Sequence, residues 1–377
     1  MKNILTMNKI AACGLQQFPA DYTCGDAVES PAAILVRSAS LHDMTFDPAT
    51  LAIARAGAGV NNVPIEACTE QGICVFNTPG ANANAVKELV IASLFLSSRK
   101  IAEALTWCQT LKGEGDNVGK LVEKGKGAFG GPEITGKTLG LIGLGAIGGL
   151  TANAAAALGM KVVGVDPYIS DAAKAQLDPS VTLLASVDEL LAQSDYISLH
   201  APLTAETKGS VNEAFFAKAK PGVRILNFSR ADLVNSADLI AALGNGSCAA
   251  YVTDFPTADV IGVPGVTAIP HLGASTPESE DNCAIMAAQQ VTAYLERGEI
   301  KNSVNLPATS LPASFTKRVC VIHKGAADAI ANAIGEAQNL VTSERSGVSY
   351  TVADVAAAPD IAAISSIEGV LLVRVLG

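Results

Sequence analysis

No stretch of this 377-residue chain runs for the roughly 18 uncharged apolar residues that a membrane span needs. The most suggestive segment, Leu89 to Ser97, is too short and reads as part of a buried helix. Basic stripes are absent too. A net charge of −10 argues against nucleic acid as a partner, since nothing is there to neutralise phosphates. The eight cysteines, at positions 13, 24, 68, 74, 108, 248, 283 and 320, form no CxxC pair and no metal-ligand spacing with the four histidines. No metal site is expected, and the cysteines read as buried, reduced thiols of a cytoplasmic protein. Lys2 and Lys9 precede no apolar core or cleavage site of a secretory signal, so none is expected.

What is present is an apolar, alanine-rich chain long enough for two or three domains. Its most informative run is Gly140-Leu-Ile-Gly143-Leu-Gly145-Ala146-Ile147-Gly148. A strand pattern from Lys137 leads into it, an alanine-rich helix pattern to Leu158 follows, and a second strand from Lys161 ends on Asp166. In that frame Gly143 permits a tight turn, Gly145 lets a pyrophosphate approach the backbone, and Gly148 lets helix and strand pack closely. The helix start offers unpaired N–H groups to phosphates. Asp166 stands where a carboxylate accepts the hydroxyls of an adenosine ribose. It would repel a 2′-phosphate, and Pro167-Tyr168 rather than an arginine follow it, so NAD is favoured over NADP.

The first 98 residues alternate short apolar runs with helix patterns. Asn3 to Met7, Ala33 to Val36, Leu51 to Ala54 and Ile73 to Phe76 read as parallel strands buried on both faces. A helix is expected over 84–99 and a Gly- and Lys-rich connecting loop over 111–132. After the glycine motif, further strands are expected at 196–200, 223–227, 249–253 and 266–269, then a helix over 282–297. A proline-containing linker, 306–315, precedes a tail whose order is βαββαβ, a ferredoxin-like arrangement. At about 60 residues such a unit is marginal alone.

Three strand-end loops carry candidate chemistry: Asn227-Phe-Ser-Arg230, Asp254-Phe-Pro-Thr-Ala-Asp259 and Pro270-His271. Ligands of open parallel sheets bind at the carboxyl ends of strands. A histidine there can take an alcohol proton, a nearby carboxylate favours its charged form, and an arginine can fork onto a substrate carboxylate. Taken singly, His271 is equally a hydrogen-bonded loop residue, Arg230 a surface ion pair, Asp254 a turn cap and Asp259 a solvated acid.

The strings GLIGLGAIG, SLHAPLT, LNFSR and IPHLGAST, in this order, resemble the D-isomer-specific 2-hydroxyacid dehydrogenases. The strings starting at Arg55 (RAGAGVNN) and Phe76 (FNTPGANANAVKE) narrow the resemblance to members acting on a phosphorylated substrate. The resemblance implies two doubly wound parallel-sheet domains, Rossmann- and flavodoxin-like, plus an ACT-like tail. A substrate domain at 1–98 would resume at 285–308, around an NAD-binding domain at 99–284, with the tail at 316–377. It implies Arg230 and His271 as catalytic residues, with an acid that spacing places at Asp259. There aspartate is a methylene shorter than the family's glutamate, and Ala231 follows Arg230 where the family has glycine. NAD contacts are implied for Gly143, Gly145, Ala146, Ile147, Gly148, Asp166, His200, Ala201, Pro202 and Asp254, the last on the nicotinamide amide. Arg37, Ser38, Arg55, Gly57 and Asn82 are implied on the substrate's carboxylate or phosphate.

The implied reaction is oxidation of 3-phospho-D-glycerate to 3-phosphohydroxypyruvate, the first step towards L-serine, by a homodimer or homotetramer. Alternatives are reduction of glyoxylate, hydroxypyruvate or 2-oxoglutarate, or a non-catalytic NAD-sensing module. In the tail, His323 remains from the family's serine-binding loop while its asparagine and Pro-Gly pair do not, which favours a structural role in dimerisation.

Overall fold

The computed structural model describes residues 2–377, which divide into two compact units, 2–82 with 276–377 and 83–275. No helix among the described residues is long and apolar enough to cross a membrane.

The first unit holds a five-stranded sheet of β1 (Lys2–Met7), β2 (Tyr22–Gly25), β3 (Ala33–Val36), β4 (Ala52–Arg55) and β5 (Cys74–Phe76). The order is β2-β1-β3-β4-β5 and every pairing is parallel. Ala33–Val36 is buried along its whole length, as a strand covered on both faces must be. Pairing of Val36 with Arg55 sets the carboxyl ends of β3 and β4 side by side. The helix Pro277–Arg297 lies on this sheet through Ala284, Ala287, Val291 and Tyr294. It starts five residues before the expected position because Thr276 Oγ1 accepts the Ser279 N–H (3.1 Å) and Pro277 opens the first turn. Gly298 (φ 64°) ends it, its N–H reaching the Tyr294 carbonyl at 2.9 Å.

The tail adds a four-stranded antiparallel sheet to the same unit. Its strands are β13 (Lys317–His323), β14 (Asn339–Arg345), β15 (Val348–Val355) and β16 (Val370–Leu376), in the order β14-β15-β13-β16. The intervening numbers belong to the second unit. The ferredoxin-like reading of the tail is thus seen strand for strand, with helices at Ala327–Ile334 and Ile361–Ser365. Arg374 donates to the Tyr294 carbonyl (3.1 Å) and Tyr350 to that of Gly298 (2.9 Å), which ties the tail to the long helix. His323 is fully buried, its Nε2 2.8 Å from Thr351 Oγ1 and its Nδ1 accepting from Ala326 N.

The second unit is a seven-stranded parallel sheet of β6 (Thr138–Ile142), β7 (Lys161–Val165), β8 (Thr182–Leu183), β9 (Tyr196–Leu199), β10 (Val223–Asn227), β11 (Cys248–Thr253) and β12 (Val266–Ala268). Its order, β12-β11-β10-β9-β6-β7-β8, reverses direction between β6 and β9, the position where such sheets bind ligands. The helix Ala83–Arg99 belongs to this unit, packing Val86, Val90 and Leu94 on Leu139, Tyr196, Leu226 and Val252. The units therefore break after Asn82 and Ser275, whereas the sequence places boundaries near 98 and 284.

The expected loop at 111–132 is largely helical: Val118–Gly125, flanked by short 3-10 turns. Val118, Leu121 and Val122 share one face at helical spacing. Trp107 packs on Phe129 at 5.3 Å and lies so close to Gly125 that a Cβ there would stand 2.3 Å from its ring.

Candidate active site

The glycine turn is built as the motif requires. Gly143 sits at φ 95°, and a Cβ on it would stand 2.8 Å from the His200 carbonyl carbon. The turns after β6 and β9 thus approach each other at the switch point. A Cβ on Gly148 would stand 2.2 Å from the Gly143 carbonyl oxygen, so helix and turn meet only because that residue is glycine. Gly145 differs from both. Its φ is −64°, which any residue adopts, and a Cβ there would meet nothing within 4 Å. Packing within the chain leaves this glycine unexplained, and the space over it is open to a ligand.

Gly145 opens the helix Ala146–Ala157 with no side-chain cap, so no side chain of its N-cap takes the N–H groups of the first turn. Asp166, at the end of β7, accepts from Leu144 N (2.8 Å) and Tyr168 N (2.9 Å), which fixes its carboxylate beside the glycine turn. Tyr168 is 88% exposed. His200 follows β9 with a ring nitrogen 2.9 Å from Ser198 Oγ, and burial pulls its pKa down to about 4, leaving a neutral imidazole. Ala201 and Pro202 continue into a loop that Thr207 closes by donating to the Pro202 carbonyl at 2.6 Å.

Strand register brings three further loops together. Asn227 pairs with Thr253, and Thr253 with Ala268, so β10, β11 and β12 end side by side. Asn227 holds the first loop: its amide donates to the Arg230 carbonyl (2.9 Å) and to Tyr251 Oη (3.1 Å). The guanidinium of Arg230 lies over the Phe255 ring, 5.5 Å from its centroid, and the His271 imidazole lies 4.4 Å from the same ring. Phe255, overlooked in the sequence, is a residue on which both candidate side chains lie. Its only signal was its place directly after a strand-end acid.

That acid, Asp254, is 1% exposed, and its Oδ2 accepts the Gly273 N–H at 2.9 Å. Its Oδ1 is buried with no hydrogen-bond partner. Burial pushes its pKa up, and the Gly273 N–H and the charges of His271 and Arg230 partly offset this. Asp259 behaves differently: it is exposed on a turn closed by Val260 N to Thr257 O, and among the described residues it makes no hydrogen bond or ion pair. The spacing-based placement of an acid at Asp259 therefore finds no hydrogen bond to His271.

In the other unit, the Arg55 Nε donates to the Arg37 carbonyl at 2.9 Å. Its guanidinium lies over Gly57, where a Cβ would overlap Nη1 at 1.7 Å. Arg37 pairs with Glu280 (2.6 Å), a partner the sequence did not reveal. The N–H groups of Ser38 and Ala39 are taken by Asn8 Oδ1 at 3.0 and 2.6 Å. Asn82 ends the loop after β5. Among the described residues no group of three His, Cys, Asp or Glu is placed to hold a metal ion.

Residues 91–273 match the family described as D-isomer specific 2-hydroxyacid dehydrogenase, NAD binding domain. The chain is 39% identical over 291 residues to the D-3-phosphoglycerate dehydrogenase of Mycobacterium tuberculosis, covering 74% of this chain and 52% of that protein. It is 35% identical over 286 residues to that of Bacillus subtilis, covering 73% and 52%. The chain thus spans about half the length of the curated relatives it matches. Among solved structures, the NAD+-bound 3-phosphoglycerate dehydrogenase of Entamoeba histolytica superposes with a TM-score of 0.61 at 26% identity, covering 82% of this chain and 99% of that one. The D-mandelate dehydrogenase of Rhodotorula graminis shares the fold at TM-score 0.67 and 23% identity, covering 82% and 99%. With its glycine turn and strand-end loops, residues 91–273 form an NAD-binding domain of the D-isomer specific 2-hydroxyacid dehydrogenase type, in a chain similar to D-3-phosphoglycerate dehydrogenases over about three quarters of its length.

Proposed function

We propose that this protein oxidises 3-phospho-D-glycerate to 3-phosphohydroxypyruvate with NAD, the reaction named for its curated relatives. The observation that carries the chemistry is the gathering of Arg230 and His271 around Phe255, beside the orphaned Asp254 oxygen. NAD fits the residues present. The space over Gly145 and the uncapped helix start would take its pyrophosphate, Asp166 its ribose, and Asp254 Oδ1 a carboxamide N–H. His200, Ala201 and Pro202 would line the same cofactor. When bound, NAD supplies the acceptor for the hydride that leaves C2.

The chain's own residues do the rest. His271 takes the C2 hydroxyl proton, which an imidazole does well near neutral pH. Arg230 holds the substrate carboxylate and polarises the C2 oxygen. Arg37 and Arg55 take the phosphate with help from Ser38, Asn82 and the backbone at Gly57, because two guanidinium groups suit a dianion. Glu280 holds Arg37 in place until phosphate competes for it. We place the protein in the cytoplasm as a homodimer or homotetramer. The helix Ile101–Thr110 buries none of its residues and leaves Leu105 63% exposed, which supports association there; light scattering of the full chain tests it.

The test of the reaction follows NADH oxidation with 3-phosphohydroxypyruvate, hydroxypyruvate and 2-oxoglutarate. The phosphorylated acid should lead by about tenfold or more in kcat/KM, since one charge-assisted hydrogen bond contributes about 1.5–3 kcal/mol. Equal rates with the unphosphorylated acids would keep the chemistry and remove the substrate. No turnover with any of them would leave an NAD-binding regulatory module.

A further inference from the structure

Directly after β5, one short side chain joins three segments that are distant in sequence. The Asn77 N–H donates to the Asn302 carbonyl (3.4 Å), and the Asn77 carbonyl accepts from the Gln290 amide on the long helix (2.9 Å). Gln290 is buried, so this support comes from a fixed side chain. With its main chain held on both sides, Asn77 turns its own amide to the loop after β4 and donates to the Ala58 carbonyl at 2.7 Å. The next residue, Thr78, is fully buried and donates its N–H to the Gly57 carbonyl at 3.0 Å.

Two consecutive carbonyls of the 57–58 turn are therefore held towards residues 77 and 78. Across a trans peptide the carbonyl and the following N–H point to opposite sides, and no peptide bond here is cis. The N–H groups of Ala58 and Gly59 are thereby turned away from 77–78, and neither makes a hydrogen bond among the described residues. The Arg55 guanidinium lies directly over Gly57, so its place depends on where the turn sits. Ala58 is exposed, which leaves hydrogen bonds rather than apolar packing to fix this turn.

We infer that Asn77 is a positioning residue for the substrate's phosphate. Its side-chain amide holds the 57–58 turn so that two backbone N–H groups and the Arg55 guanidinium are presented together to an anion. This role rests on the dehydrogenase reading above and deepens it, because it assigns the orientation of the phosphate loop to a residue that need not touch substrate.

The test compares Asn77→Ala with the wild type in the intact chain. Amide exchange over 55–63, measured without substrate, should be about three- to tenfold faster in the variant, the effect of one ordinary hydrogen bond, while β3 exchanges as before. KM for 3-phosphohydroxypyruvate should rise by a similar factor with kcat nearly unchanged, whereas hydroxypyruvate, which carries no phosphate, should show neither change. Asn77→Asp keeps the shape without the N–H donor and should match Asn77→Ala in exchange. Unchanged exchange over 55–63, or an equal rise in KM for both acids, overturns the inference. If neither variant folds, the wild type decides. Inorganic phosphate should slow exchange over 55–63 and 77–82 together, and slowing over 55–63 alone or over neither overturns the coupling. Exchange needs no turnover, so an inactive wild-type protein would defeat the proposed reaction while leaving the role of Asn77 to be judged on phosphate alone.

Discussion

The imidazole of His271 rests on the phenyl ring of Phe255, centroids 4.4 Å apart and planes inclined by 43°. The Arg230 guanidinium lies over the same ring. One apolar side chain thus sets the spacing of the two side chains proposed as proton acceptor and carboxylate clamp. Phe255→Ala should leave NAD affinity nearly unchanged and lower kcat by roughly a hundredfold, the usual result of displacing reacting groups by about an ångström. Phe255→Leu, which refills part of the space, should recover some of the loss. Pre-steady-state hydride transfer checks this; a loss confined to KM would contradict it.

The glycines of the nucleotide turn should separate folding from binding. Gly148→Ala places a Cβ 2.2 Å from a backbone oxygen that cannot step aside cheaply, so stability should fall by about 1–3 kcal/mol. Gly145→Ala meets no protein atom, so the urea midpoint should be unchanged while NAD binding weakens by roughly tenfold or more. Urea denaturation and calorimetric titration of both variants decide it. Weak NAD binding by Gly145→Ala together with lost stability would mean the residue is structural.

Much of this organisation was legible in the residues, for identifiable reasons. Strands such as Ala33–Val36 and Tyr196–Leu199 are buried along their whole length, so unbroken apolar runs declare them. The strand Tyr22–Gly25 was missed because it is a partly exposed edge strand of mixed polarity. The helix Val118–Gly125 was missed because glycine and lysine masked the helical spacing of Val118, Leu121 and Val122. At the site, residue types at strand ends pointed to Arg230 and His271. Counting residues along a loop could not show that Asp259 is exposed on a turn at 257–260 while Asp254 follows a buried strand.

His200 should make stability depend on pH. Burial holds its pKa down at about 4, against 6.5 in the unfolded chain. Its contribution is therefore complete above pH 6.5 and is lost as pH falls towards 4, because the unfolded chain takes up the proton first. On the order of 2–3 kcal/mol should disappear over that window. Urea unfolding between pH 7 and 4 should show a shallower decline in His200→Gln than in the wild type. Parallel declines would mean the imidazole is accessible to protons in the folded protein.

The tail is secured by a pair of opposite charges taken almost wholly out of water. Arg318 Nε and Nη2 reach the two carboxylate oxygens of Asp354 at 2.6 and 3.1 Å, with side chains 1% and 2% exposed. The remaining guanidinium donors go to the carbonyls of Arg297 (2.8 Å) and Pro312 (2.6 Å), so the pair also clasps the end of the long helix and the linker. Desolvating both ions costs about as much as their attraction returns, so the intact pair adds little net stability. Removing one partner is another matter, because the other stays buried and uncompensated. Asp354→Ala should cost about 3–5 kcal/mol, while Arg318→Met with Asp354→Leu should recover most of it. If the double variant is as unstable as the single one, the backbone carbonyls left without donors outweigh the unpaired charge, and the clasp on Arg297 and Pro312 is what holds the tail in place.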